Sequence, residues 1–125
     1  MTSFSALKQL LRHRLADILR RERSSDNRIY LYQTGDCYVT FERSAHLLAY
    51  LYPECQTVSF YVPDTPFPMV LGSIPADHLP RLRSYARCIS SGSDYLSYVP
   101  LQQPTVSYDD WHREQVKVVA GGQAN

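Results

Sequence analysis

The chain has 125 residues, of which 44% are hydrophobic, with ten tyrosines and a formal net charge of +1. That is enough for one domain with its own core. No apolar run approaches the roughly 18 residues of a membrane helix, and the first residues lack the apolar stretch of a secretory signal, so a cytoplasmic chain is expected. Cys37, Cys55 and Cys88 form no CxxC pair, which argues against a disulfide framework or a structural zinc site. Neither they nor His13, His46, His78 and His112 show metal-type spacing, and no cofactor is expected.

The charges are uneven. Lys8, Arg12, Arg14, Arg20, Arg21 and Arg23 crowd the first 25 positions against only Asp17 and Glu22. Phe4, Leu7, Leu11, Leu15, Ile18 and Leu19 recur at three-and-four spacing and predict an amphipathic helix over 5–22, with Ser3 or Ser5 as its cap. Its polar face carries Lys8, Arg12, Arg20 and Arg23, which reads either as a solvated surface or as a set of phosphate contacts. Residues 24–27 break the helix.

Residues 29–32 and 37–41 are aromatic and branched and flank Thr34, Gly35 and Asp36, a hairpin pattern. From Glu42 the period changes, with Ala45, Leu48, Ala49 and Tyr52 at helical spacing, so the second strand feeds directly into a helix. Residues 55–62 predict a third strand, with Val58, Phe60 and Val62 on one face. Residues 63–66 form a loop, and 67–72 a short fourth strand whose Pro68 suits an edge or a strand start. A third helix is expected from Asp77, with Leu79, Leu82, Tyr85, Ala86 and Ile89 on one side, Arg83 and Arg87 on another, and Gly92 as its stop. Residues 95–99 predict a fifth strand, 108–114 a helical turn and 116–119 a last strand. This order predicts an α/β fold, a mixed parallel and antiparallel sheet of five to six strands flanked by about three helices. Residues 1–120 read as one domain and 121–125 as a flexible tail.

With Gly35, Asp36, Tyr38, Phe41, Ala45 and Leu51 at matching spacing, then Pro68, Met69, Gly72, Ile74, Pro75 and Gly92, the chain resembles the amino-terminal domain of the MutS family of mismatch-recognition proteins. The resemblance runs from the first helix to about Val99. It implies a mixed sheet surrounded by helices, in which a Phe-Tyr-Glu triplet meets DNA: the Phe wedges into the unstacked base step and the Glu bonds the mispaired base. Here those two positions are Cys37 and Val39, which offer neither a stacking face nor a carboxylate. Mismatch reading by the triplet is therefore expected to be lost. Tyr38 is retained and alternates to the opposite face. No GxxxxGK[ST] loop occurs, so no nucleotide is expected.

Three functions stay open. A non-catalytic module would bind duplex DNA weakly and in a salt-sensitive way through Lys8, Arg12, Arg20, Arg43, Arg83 and Arg87, with Cys37 and Val39 at the old wedge and Arg81 as a further phosphate contact. A protein-interaction module would use the same scaffold and its tyrosines on another protein, without DNA. An enzyme is the least supported: Asp64, Glu114 and Lys117 fall short of a nuclease site, and nothing brings Cys37 to His46.

Overall fold

The structure, a computed structural model, describes residues 3–23, 27–62, 68–91 and 94–124; the side chains at 3, 4, 91 and 118–124 fall outside that description. Phe4 in the helix stripe, the break at 24–26, the loop at 63–66 with Asp64, the strand start at Phe67 and the stop at Gly92 lie there too. The elements are α1 (Ser3–Arg23), β1 (Ile29–Thr34), β2 (Cys37–Phe41), α2 (Glu42–Leu51), β3 (Gln56–Tyr61), β4 (Pro68–Pro75), a 3-10 helix (Ala76–Ser84), β5 (Ala86–Ser91), β6 (Leu96–Pro100) and α3 (Tyr108–Ala124).

The six strands form one open sheet in the order β3-β4-β2-β1-β6-β5, and every neighbouring pair is antiparallel. The expected parallel pairs are absent from it. α2 does return the chain so that β3 runs the same way as β2, but β4 inserts between them and is antiparallel to both. β1 is central and buried on both faces. Ile29 and Leu31 face α2 and the 3-10 helix with Leu48, Ile74, Leu82 and Tyr98, whereas Tyr30 and Tyr32 face α1 with Val39, Phe41, Met69 and Leu71.

The hairpin and its helix fall where the residues place them. Thr34 pairs with Cys37 across a two-residue loop whose Gly35 has φ 71°, the position at which a II′ turn takes glycine. Pro68 opens β4, where its missing N–H breaks no interior ladder bond.

Two helical readings are corrected. The residues expected as a third helix divide into the 3-10 helix, with Leu82 buried and Pro80 inside it, and β5, which pairs with β6. The Leu79, Leu82, Tyr85, Ala86 and Ile89 spacing spans that junction, so Ala86 is buried in a strand while Ile89 is exposed at a register shift. The pairing available to β5 outweighs its helical period. The turn at 108–114 and the strand expected at 116–119 are instead parts of one helix, α3, which runs from Tyr108 to Ala124. Ser107 starts it: its Oγ accepts the Asp110 N–H at 3.2 Å. No helix among the described residues is long and apolar enough to cross a membrane.

Close packing of β4 against Cys55 and β2 depends on Gly72. A Cβ there would lie 3.0 Å from the Cys55 Sγ and 3.2 Å from the Thr40 Cγ2. Gly72→Ala is expected to destabilise the chain by about 1–3 kcal/mol through overpacking, read as a lower urea midpoint at unchanged slope. An unchanged midpoint would contradict that packing.

Candidate nucleic-acid interface

α1 lies on its sheet face through Ile18, which is fully buried, and the half-buried Leu7, Leu10, Leu11, Leu15 and Leu19. Each apolar side chain so covered contributes about 1.5–3 kcal/mol at most, which leaves the opposite side of the helix to water. Lys8, Arg12, Arg20 and Arg23 occupy that exposed side. Two other cations act as fasteners. Arg14 pairs with Asp94 at 3.2 Å, and the Arg21 guanidinium sits 4.2 Å from the Tyr95 ring centre and donates to the Tyr32 hydroxyl at 2.8 Å. Burial pushes the Tyr32 phenol up to about 12, against the pull of Arg21, so it stays neutral. Arg20 also donates to Asp17 at 2.8 Å, within α1.

The carboxy-terminal turn of α1 is held by Glu22. α2 begins without a side-chain cap of its own, because the preceding residue is Phe41, and Glu42 has φ 49° in the left-handed region. Glu22 supplies what is missing. Its carboxylate accepts the Ser44 N–H at 2.9 Å and the Ser44 hydroxyl at 2.6 Å, while Ser44 Oγ accepts the Tyr30 N–H at 3.0 Å. One acid therefore joins α1, α2 and β1. It is only 3% exposed. Burial raises its pKa to about 7; the two Ser44 bonds oppose that rise, nearby Glu42 adds to it and Arg43 relieves it.

The remaining residues named from the sequence do not gather on this face. Val39 is 3% exposed and packs among the residues beneath α1; Cys37, two positions earlier on the same side of β2, is half-buried. Tyr38 faces the other core, with Ile74 and Leu82. Arg43 stands at the start of α2 with its guanidinium 4.5 Å from the Tyr108 ring centre. Arg83 is on the 3-10 helix and Arg87 on β5, both exposed. Of the six cations among these eight residues, only Lys8, Arg12 and Arg20 share an element and a face.

Sequence reasoning missed Glu22 and Ser44. The available sign was that Glu22 continues the apolar stripe four positions after Ile18, where a carboxylate needs a partner. It also missed a second polar knot. Glu42 Oε1 lies 3.0 Å from both the Val70 N–H and His112 Nε2, which fastens the start of α2 to β4 and α3. A separate cleft of about 320 Å³ is lined by Asn27, Arg43, His46, Gln103, Ser107 and Tyr108. His46 packs on Trp111 with ring centres 5.0 Å apart, and burial lowers its pKa.

Cys37 and His46 lie on opposite sides of the sheet, and burial pushes the Cys55 thiol up to about 11. Glu114 and Lys117 are an exposed pair one helical turn apart at 3.1 Å. No cluster of three or more His, Cys, Asp or Glu side chains among the described residues is arranged to hold a metal ion. No family model matches the chain, and no curated protein or solved structure is significantly similar to it.

Proposed function

We propose that this chain is a non-catalytic, MutS amino-terminal-like module that holds duplex DNA by its sugar–phosphate backbone and does not read bases. The observation that carries the reading is the exposed face of α1. Lys8, Arg12, Arg20 and Arg23 follow one another along a 21-residue helix whose opposite side is anchored to the sheet. A row of cations on a rigid rod suits a polyanion. Base reading has no support at the wedge position, since Val39 is covered and Cys37 has no stacking face.

Fluorescence anisotropy with labelled homoduplex and mismatched duplex tests the proposal. Four phosphate contacts give a log–log salt slope of about −3.6, and the dissociation constant is expected in the range of about 10⁻⁴ to 10⁻⁶ M for both duplexes. Reversing the four charges to glutamate should abolish binding. Absence of binding at low salt, or a clear preference for the mismatch, would end this reading.

The alternative is a protein-interaction module that binds no DNA. It is favoured by the dispersal of Arg43, Arg83 and Arg87 over three elements other than α1. A charge-independent complex recovered without nucleic acid would support it over the first.

A further inference from the structure

We infer that β3 is a self-pairing edge, through which two copies of this chain join their sheets into one continuous antiparallel sheet about a two-fold axis at Ser59. β3 is an outer strand and, among the described residues, pairs with β4 alone. Natural edge strands are commonly blunted by charge, proline or a bulge. This one has none of them. QTVSFY contains no charged residue and no proline, and its six register pairs with β4 run without a shift. The other outer strand differs, because β5 shifts register between Cys88 and Ser90 and carries the exposed Arg87.

The order of residues in β3 selects the occupant. In an antiparallel pair related by a two-fold axis normal to the sheet, facing residues must lie on the same side of it. An axis at Ser59 then sets Val58 against Phe60 on the α1 side and Thr57 against Tyr61 on the α2 side, each pair occurring twice. Every one of these pairs joins a β-branched side chain to an aromatic ring, a combination that stabilises sheets. An axis at Val58 would instead oppose Thr57 to Ser59 and Gln56 to Phe60, losing all four. Val58 and Tyr61 are 55% and 47% exposed, on opposite sides of the strand, and both would be covered. The strand is neutral, so pairing with itself brings no like charges together. The symmetry closes the contact at two copies. A strand from a different protein would have no need of a sequence symmetric about Ser59.

Sedimentation velocity and light scattering on the full chain, over a roughly 100-fold concentration range, test this. The native chain is expected to form a reversible dimer. The double variant Thr57→Lys/Tyr61→Lys places like charges opposite each other across the axis and should weaken the dimer at least about 100-fold. Thr57→Lys/Tyr61→Glu places opposite charges there and should keep it. Both positions are exposed, and circular dichroism melts verify that each variant folds. A native monomer throughout the range would leave the edge to some other strand and overturn the proposal. So would a dimer indifferent to the first variant, or one lost in the second.

Discussion

Between pH 4.5 and pH 8 the native chain is expected to lose roughly 3 kcal/mol of stability relative to Glu22→Gln. The direction follows from the acid's surroundings. The folded pKa of Glu22 is raised from 4.5 to about 7, so folding favours the protonated form. That contribution is fully present below the unfolded value and is lost as pH rises through about 7. His46 works in the opposite direction. Its folded pKa is lowered by burial, so its contribution is present above the ordinary histidine range and is lost on acidification. Comparing the two chains at each pH cancels His46 and isolates Glu22. The glutamine variant can still accept the Ser44 N–H, and the Ser44 hydroxyl can turn to the Arg28 carbonyl, 3.3 Å away. Urea titrations across this interval give the difference directly. Parallel stability curves for the two chains would mean that Glu22 is not the buried link between α1 and α2.

Phe41→Ala is expected to remove about 3–5 kcal/mol, a large part of the total stability of a domain of this size. Phe41 is fully buried and packs beside the Tyr32 ring at 5.9 Å, in the core beneath α1. It is also the last residue of β2 and the cap position of α2, so its ring fixes the point at which a strand becomes a helix. The cavity would lie under α1, between β2 and β4, where Met69 and Leu71 can close it only in part. Chemical denaturation measures the loss. A change below about 1 kcal/mol would contradict burial of this ring.

What was legible in the sequence is what is local. The hairpin around Gly35 and the helix that follows Phe41 could be read because turn chemistry and a change of period act within a few residues. α1 was legible for the same reason, through a long stripe with one dominant period. The sheet order was not, because inserting β4 between β2 and β3 depends on contacts that no short window contains. Residues 76–91 misled because apolar spacing across a 3-10 helix and a strand imitates one helix, and the edge pairing that decides the matter lies in β6. Ser107 and Trp111 began a helix whose later residues, Val116 among them, read equally well as a strand. The candidate interface was legible as a list of cations but not as a surface. Lys8, Arg12 and Arg20 share a face, while Arg43, Arg83 and Arg87 stand on three other elements, and Val39 is covered in the core beneath α1.

Backbone-only contact through α1 is tested most directly by following backbone amide shifts while a homoduplex is added at low salt. The changes are predicted to line up along α1 at Lys8, Arg12, Arg20 and Arg23, to vanish as salt is raised, and to leave Cys37 to Val39 silent. Shifts centred on the hairpin, or a spectrum unmoved by DNA, would contradict the account.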